Sequence, residues 1–363
     1  MQRPSEDKKL NIIVLEPYYG GSHKSFLSGL QKNIPSNFHL MTLPARKWKW
    51  RMRLAAPYFA DRLHRANKRY DRILCSTFVD VATFRGLAPA WCREVPLLTY
   101  FHENQFAYPV QVDDERDFHF ALTNVTTALA SDRVAFNSEY NLRTFLDGIK
   151  KLLKKSHDLK LADAVRSIKS KSTVIPPGID FSMIDGVKKP DHDGPPVIVW
   201  NHRWEHDKNP ELFFKTLVTL DKKGVDFRVI VLGESFKEHP SLFETVRKKL
   251  LKKVLQFGYA KTRGEYAEWL HYGDITVSTA NHEFFGISVL EAVRAGCRPL
   301  LPDMLSYPEL FPSNYLYKEN YFVQRLREEI TKNSRLSQDQ SLKLTDRFSW
   351  ESLASKYMSW IHG

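Results

Sequence analysis

The stretch NHEFFGISVLEAV, residues 281–293, places one glutamate before an apolar run and a second glutamate inside it. Gly286 permits an unusual backbone conformation, and the apolar residues after it recur at helical spacing, so the run predicts the start of a helix. Glu283 would precede the helix N-terminus, and Glu291 would lie roughly 7–8 Å inside it. The alternative is an ordinary N-terminal glutamate followed by a solvated one.

Two carboxylates beside a helix end suit an anion that also carries hydroxyl groups. The free amides at a helix N-terminus favour a negative charge. Carboxylates on either side of that end accept hydrogen bonds from hydroxyls. A nucleotide sugar has this layout, because its hydroxyls lie at both ends of a diphosphate. The rest of the chain decides between this interpretation and the ordinary helix start.

The composition is that of a folded protein with a marked positive charge. The 363 residues suit two domains, and 42% of them are hydrophobic. We find no signal-peptide pattern or membrane-span length, and the three cysteines lack metal or disulfide spacing, so we expect a cytoplasmic protein. The net charge of +12 indicates a polyanionic partner or an acidic membrane surface, with solubility as the alternative.

Short apolar runs alternate with segments of helical length, which is typical of βαβ units around parallel sheets. The expected strands lie at 10–18, 38–44, 70–77, 95–104 and 132–138, and then at 197–204, 226–234, 254–260, 274–280 and 298–303. We therefore expect an α/β protein with two Rossmann-like domains. They are a first domain at 1–184, a Pro- and Gly-rich linker at 185–196, a second domain at 197–345, and a helix at 346–363 that packs back on the first.

Residues suited to phosphate binding follow the first strand of each series. Gly20 and Gly21 lie between a strand and a helix, where a glycine backbone approaches an anion closely, although a plain turn has the same pattern. Arg203 and Lys208, in the loop NHRWEHDKNPE, offer a planar fork and a point charge to a diphosphate. Isolated loop cations are otherwise simply solvated.

The block ARKWKWRMR, residues 45–53, combines cations with aromatic rings. Its members are Arg46, Lys47, Trp48, Lys49, Trp50, Arg51 and Arg53. Cations suit phosphates and tryptophans suit stacking on unpaired bases, as in an RNA loop. The alternative assigns the tryptophans to the core and the cations to a solvated helix face. A second basic stretch, 150–171, predicts amphipathic helices that are either solvated or lie on a membrane surface.

These motifs resemble those of known enzymes along nearly the whole chain. Glu-x7-Glu at 283–291, with EFFG and LEAV, and Arg-x4-Lys at 203–208 resemble the retaining glycosyltransferases of family 4. Those enzymes have the GT-B fold, two Rossmann-like domains facing a central cleft. The tRNA-queuosine mannosyltransferase family is similar in finer detail, at YYGGSHK, LPARKWKWR, YFHENQFAYPV, ERDF, FNSEYN, HRWEHDKNPE, HEFFG and YPELFP. The resemblance implies transfer of mannose from GDP-mannose to queuosine in the anticodon of an aspartate tRNA.

The resemblance also implies residue roles. Both glycines would approach the donor diphosphate, both loop cations would hold it, and Glu283 and Glu291 would bind hexose hydroxyls and the ribose diol. The donor set is Gly20, Gly21, Arg203, Lys208, Tyr259 as a platform for the base, Glu283, Phe285, Gly286, Ile287 and Glu291. The catalytic set is His102, Arg203, Lys208 and Glu283, where His102 lies near the hexose; from the residues alone, His102 equally suits a structural role. Sugar or acceptor contacts are expected from Asn104, Gln105, Asn137 and Ser138.

We therefore expect a cytoplasmic, metal-independent glycosyltransferase whose partners are tRNA and GDP-mannose, without stable insertion into a membrane. Cations and a helix end would stabilise the departing diphosphate in place of a divalent ion. One alternative is a family 4 transferase that acts on a lipid or small molecule at a membrane surface. The other is a non-catalytic RNA-binding protein with the same fold.

Overall fold

A computed structural model describes residues 9–108, 118–155, 161, 163–188, 190, 193–233, 248–333 and 335–363. The chain forms two compact units: unit 1 runs to Gly178 and resumes at Trp350, and unit 2 is Ile179–Ser349. Each unit contains a six-stranded sheet whose strands pair in parallel. The predicted α/β class with two Rossmann-like domains is confirmed.

The sheet of unit 1 has the strand order β2-β1-β3-β4-β5-β6. Its strands are β1 (Asn11–Tyr19), β2 (Asn37–Pro44), β3 (Arg72–Ser76), β4 (Leu97–Phe101), β5 (Arg133–Phe136) and β6 (Ser172–Val174). The helices along this part of the chain are α1 (Gly21–Asn33), α2 (Trp48–Ala66), α3 (Val81–Leu87), α4 (Phe118–Ala130), α5 (Glu139–Lys155) and α6 (Ala164–Ser170). Nearly continuous apolar strands, such as Leu97–Phe101, are typical of a parallel sheet covered on both faces.

The C-terminal helix, α14 (Trp350–His362), belongs to unit 1. Trp350, Tyr357 and Trp360 are buried in its core, as their helical spacing predicts. The Tyr357 hydroxyl donates to the Pro176 carbonyl, and Arg133 donates to the Trp360 carbonyl, each at 2.8 Å. Truncating a buried aromatic side chain of this kind typically costs about 3–5 kcal/mol, so the helix contributes strongly to the stability of unit 1.

The sheet of unit 2 has the strand order β12-β11-β10-β7-β8-β9. Its strands are β7 (Val197–Asn201), β8 (Arg228–Leu232), β9 (Val254–Gly258), β10 (Ile275–Val277), β11 (Arg298–Pro302) and β12 (Leu316–Tyr317). Its helices are α7 (Ser182–Asp185), α8 (Pro210–Lys222), α9 (Arg263–Tyr272), α10 (Ile287–Arg294), α11 (Tyr307–Leu310), α12 (Phe322–Lys332) and α13 (Gln338–Thr345). The sequence did not predict β12, because two residues are too few for an apolar pattern.

Unit 2 begins earlier than the expected boundary at residue 184. Ile179, Phe181 and Ile184 are buried in its core, and the Ile179 amide donates to the Phe348 carbonyl at 2.9 Å. Residues 179–184, expected at the end of the first domain, therefore belong to unit 2. Several parts of the quoted stretches lie outside the described residues: 109–110 of YFHENQFAYPV, 115–117 of ERDF, 156–160 and 162 of the second basic stretch, and 189, 191 and 192 of the expected linker.

Strand order determines where each unit can bind a ligand. In unit 1, β1 lies between β2 and β3, so the chain changes direction across the sheet at β1. In unit 2 the corresponding change falls where β7 lies beside β10. Open parallel sheets bind ligands at such switch points, beyond the carboxyl ends of the strands. Among the described helices, none is both long and apolar enough to cross a membrane.

Candidate active site

Lys208 and Glu283 meet at the switch point of unit 2. β7 ends at Asn201, and the chain returns through a 3₁₀ turn at His206–Lys208 into α8. Lys208 Nζ donates to the Glu283 carboxylate at 3.3 Å and to the His282 carbonyl at 2.8 Å. The fold thus brings a predicted phosphate-binding cation against a predicted hexose-binding carboxylate.

This pair is ionised despite its burial. Burial opposes the charge on Lys208, but Glu283 and Asp207 outweigh that effect and raise the Lys208 pKa. Burial also opposes the charge on Glu283, yet Lys208 lowers the pKa of this carboxyl to about 2. Burial, followed by the charge of Lys208, lowers the His202 pKa to about 4. At neutral pH an ammonium, a carboxylate and a neutral imidazole therefore lie together.

The helix start predicted after Glu283 is confirmed. Gly286 has a left-handed backbone, φ 102°, and α10 begins at Ile287. A side chain at Gly286 would be strained by this backbone, and its Cβ would also lie 3.2 Å from the Tyr307 ring. Phe285, Gly286 and Ile287 were expected to bind the sugar donor through their backbone amides. The Phe285 amide instead donates to the Glu283 carboxylate at 3.3 Å.

Glu291 is buried, not solvated, and both of its oxygens have partners. Arg263 donates to one oxygen at 2.6 Å, and the Tyr266 hydroxyl donates to the other at 2.9 Å. Asn201, at the end of β7, donates in turn to the Tyr266 oxygen at 3.0 Å. Sequence reasoning missed Arg263 and Tyr266, for which the only signal is their spacing of three residues on a helix that follows a strand.

The two other predicted donor residues of unit 2 lie at its surface. The Arg203 side chain is 55% exposed and contacts Glu205 at 3.1 Å. The positive charge of Arg203 acts to lower the Lys208 pKa, so the two cations lie within electrostatic range of each other. Tyr259 is 68% exposed, which leaves its ring accessible to a base. Of the two cations expected to hold the diphosphate, Lys208 is therefore buried and Arg203 is exposed.

Gly20 and Gly21 form the turn from β1 into α1. A Cβ on Gly20 would lie 2.6 Å from the Ala45 Cβ, so this position requires glycine. Gly21 has a left-handed backbone, φ 48°, with open space around it. The close contact with Ala45 explains Gly20 by packing alone.

His102 follows β4 in unit 1 and stacks on a histidine that the sequence did not single out. The His23 and His102 ring centroids are 4.1 Å apart at an interplanar angle of 30°. His23 lies between two carboxylates, 3.0 Å from Glu16 and 3.5 Å from Glu103. Burial opposes the His23 charge, but Glu16 and then Glu103 raise its pKa to about 10. Burial, and then His23, hold the His102 pKa well below its ordinary value.

The predicted polar residues at the ends of β4 and β5 bond within unit 1. Asn104 donates to Asn141 at 2.8 Å. Asn137 donates to the His102 carbonyl at 2.7 Å, and the Ser138 hydroxyl accepts from the Asn141 amide at 3.0 Å. The fourth residue of the set, Gln105, is buried. These bonds hold the backbone around His102 in place.

The basic block opens α2, and the helix separates its two tryptophans. The Trp48 ring packs 5.2 Å from the Phe120 ring, whereas Trp50 is 63% exposed. Arg53 lies over the Phe120 ring. Arg51 donates to a backbone carbonyl at 3.3 Å. The remaining cations of the block, Arg46, Lys47 and Lys49, are exposed.

Two further apolar residues continue the exposed face of α2. Leu54 and Tyr58 follow Trp50 at intervals of four residues and are 54% and 41% exposed. Residues at this spacing lie on one side of a helix, so the three form a stripe about 12 Å long. The sequence did not predict the stripe, because which side of α2 faces solvent is known only once the helix is placed against unit 1.

Comparisons with known proteins agree with this geometry. The model of the tRNA-queuosine alpha-mannosyltransferase N-terminal domain matches residues 11–179, and that of glycosyl transferases group 1 matches 185–347. Among solved structures, HepE of Anabaena in complex with UDP has a TM-score of 0.66 at 11% identity, covering 97% of this chain and 98% of that one. Sucrose-phosphate synthase of Thermosynechococcus elongatus has a TM-score of 0.67 at 12% identity, with 97% and 98% covered. These structures show the fold.

A curated relative adds the closer relationship. The tRNA-queuosine alpha-mannosyltransferase of Drosophila melanogaster is 37% identical over 366 aligned residues, which cover 96% of each chain. None of the described residues form a group of three or more His, Cys, Asp or Glu side chains able to hold a metal ion. Because family models match both halves of the chain and the Drosophila relative matches nearly all of it, the chain belongs to the tRNA-queuosine alpha-mannosyltransferase family and is a glycosyltransferase of GT-B architecture.

Proposed function

We propose that this chain transfers mannose from GDP-mannose to queuosine in the anticodon of an aspartate tRNA, with retention of configuration. The name of the Drosophila relative supports the acceptor and the sugar. The observation that carries the proposal is the buried Lys208–Glu283 pair just before the N-terminus of α10. It combines an ionised acceptor for hydroxyls with a helix end that favours a phosphate.

The residues of unit 2 suit the departure of a diphosphate. Glu283 accepts hydrogen bonds from hexose hydroxyls, while Arg203 and the α10 amides neutralise the charge that grows as the sugar–phosphate bond breaks. Lys208 fixes the Glu283 carboxylate and adds a nearby positive charge. The acceptor hydroxyl attacks from the face that the phosphate leaves, and its proton passes to that phosphate.

Glu291 suits the ribose of the donor. A carboxylate accepts two hydrogen bonds from a cis-diol, and Arg263 and Tyr266 already fix its orientation. The exposed Tyr259 ring is then the platform for the guanine base. These four residues extend the donor site from the diphosphate to the nucleoside.

The exposed face of α2 suits unpaired nucleotides of the acceptor tRNA. Trp50 and Tyr58 offer rings for stacking, and Arg46, Lys47 and Lys49 offer phosphate contacts. Trp48 has a different role, because its ring packs on Phe120. We assign the tRNA contact to Trp50 and the exposed cations.

We further propose that the reaction needs no divalent ion and takes place in the cytosol. Arg203 and the α10 amides supply the charge that a metal would otherwise contribute to the leaving group. Cys75, Cys92 and Cys297 are buried and form no disulfide, as is usual for proteins of a reducing compartment.

Release of the nucleotide tests donor and acceptor together. The purified chain is incubated with GDP-mannose, GDP-fucose, UDP-glucose or UDP-galactose, with and without EDTA. Each donor is paired with aspartate tRNA that carries queuosine or, as the control, guanosine. We expect nucleotide release only from GDP-mannose with the queuosine tRNA, and unchanged release in EDTA. Equal release with the guanosine tRNA would contradict the acceptor, and loss of release that magnesium restores would contradict the metal-free reaction.

A further inference from the structure

Glu16, His23 and Glu103 form a buried charged cluster at the switch point of unit 1. Glu16 comes from β1, His23 from the first turn of α1, and Glu103 from the loop after β4. His23 Nδ1 lies 3.0 Å from Glu16, and His23 Nε2 lies 3.5 Å from Glu103. The cluster therefore occupies the edge of the sheet where such folds bind ligands.

The two carboxylates are not equally satisfied. Glu16 is 2% exposed and accepts from the Tyr18 amide at 2.8 Å and the Ser76 hydroxyl at 3.2 Å, besides its contact with His23. Glu103 accepts from the Thr77 hydroxyl at 3.1 Å, and its contact with His23 is the longer one. Its side chain is 14% exposed, so Glu103 is the carboxylate that a ligand can reach.

The charges of the cluster do not cancel. Among the residues that the structure describes, two carboxylates share one imidazolium here, which leaves one net negative charge in a largely buried place. Buried charges are costly unless paired. Since Glu16 already has close partners, the unmatched charge falls on Glu103. A positively charged ligand group would match it.

His102 gives a second, independent indication of a ligand. It is about nine-tenths buried, stacks on His23 and lies next to Glu103 in the chain. Within the part of the chain that the structure describes, neither ring nitrogen has a hydrogen-bond partner, although Asn137 holds the His102 carbonyl. Neither nitrogen is among the fully buried unpartnered atoms of the described residues, so both can still be reached by a partner. A ligand hydroxyl would provide one.

We propose that Glu103 is the counter-ion of a protonated amine in the acceptor, with His102 beside it to bind a neighbouring hydroxyl. This inference rests on the proposed function. Queuosine joins a cyclopentenediol to 7-deazaguanine through a secondary amine, so it presents a cation next to hydroxyls. Guanosine at the same tRNA position has neither group. Glu103 therefore distinguishes the modified nucleoside from the unmodified one by charge.

The test uses two small probes that differ by the amine. Binding of 7-aminomethyl-7-deazaguanine and of 7-deazaguanine is measured by calorimetry on the full chain. We expect the amine to bind at least about tenfold more tightly, the scale of a charge-assisted hydrogen bond. In Glu103→Gln, which keeps the side-chain size and an acceptor for Thr77, this preference should disappear. Glu94→Gln, an exposed carboxylate of unit 1, is the matched control and should keep it.

The outcomes separate this inference from the proposed function. Equal affinity for the two probes in the unaltered chain overturns it, and so does a preference that survives in Glu103→Gln. The unaltered chain provides the first comparison even if the variant does not fold. Because neither tRNA nor GDP-mannose is present, failure of mannosyl transfer leaves the probe result unaffected, and a transferase without amine preference contradicts only the role of Glu103.

Discussion

Lys208 and Glu283 form a buried ion pair, with 3.3 Å between Nζ and Oε2, that links the loop after β7 to the loop before α10. Neither loop is part of the sheet, so the pair holds the two chain segments of the switch point against each other. Because Glu283 also accepts from the Phe285 amide, the carboxylate is fixed before any donor binds. A preorganised acceptor of this kind is what a transferase needs to orient a hexose.

Lys208→Ala should lower both stability and turnover. Removing one partner of a buried ion pair costs about 3–5 kcal/mol, because the other charge is left unpaired. Arg203→Ala is the contrasting variant: its side chain is 55% exposed, so turnover should fall roughly 100-fold while Tm stays the same. Thermal melts and kcat of both variants provide the measurement. Unchanged turnover in Arg203→Ala would remove this residue from the phosphate contact.

Arg263→Ala and Tyr266→Phe should weaken donor binding without altering the chemical step. Each removes one hydrogen bond that orients Glu291, and the loss of a charge-assisted bond is worth roughly tenfold or more in KM for GDP-mannose. Arg228→Ala, another partly exposed arginine of unit 2, is the control and should leave KM unchanged. Steady-state kinetics decide the matter, and a fall in kcat at constant KM would argue against a ribose contact.

The stability of unit 1 should decrease as the pH rises above neutral. His23 has a pKa of about 10 in the folded chain and about 6.5 when unfolded, so its ion pairs stabilise fully below pH 6.5 and are lost towards pH 10. The slope reaches about 1.4 kcal/mol per pH unit. Urea unfolding at pH 7 and pH 9 measures it, and His23→Gln should abolish the difference. The same pH slope in the variant would show that His23 is not the group that titrates.

The exposed face of α2 should govern tRNA affinity. Trp50→Ala or Tyr58→Ala should each weaken binding by about 1–3 kcal/mol without changing its salt dependence. Neutralising Arg46 and Lys47 together should instead reduce the salt slope by roughly one to two units. Trp48→Ala serves as the control that lowers Tm, since its ring packs on Phe120. Wild-type tRNA affinity in Trp50→Ala would contradict the stacking.

The two sheets and the helix start after Glu283 could be predicted because their signals are local. The alternation of apolar strands with helices gave the two sheets, and the pattern around Gly286 gave the start of α10. Glu283 and Lys208 stood out by their positions, one before a helix start and the other after a strand, and the fold brings their side chains together. The prediction of Glu291 as a binding residue did not extend to its partners, since Arg263 reaches it from another helix.

The rest depends on contacts that only the folded chain creates. Glu16, His23 and Glu103 are ordinary residues in sequence, and they meet because β1 and β4 end at the same edge of one sheet. Trp48 and Trp50 look equivalent in the basic block, but the phase of α2 buries one ring against Phe120 and exposes the other. Contacts between residues far apart in the sequence, and the side of a helix that becomes buried, could therefore not be predicted from the sequence.

Mass spectrometry of tRNA nucleosides shows whether queuosine receives a hexose. Aspartate tRNA bearing queuosine is incubated with the purified chain and GDP-mannose, digested to nucleosides and compared with a reaction that contains Glu283→Gln. We expect queuosine to gain the mass of one hexose with the unaltered chain, and the variant to give little product. Queuosine that stays unmodified with folded chain, donor and tRNA all present would contradict the proposed function.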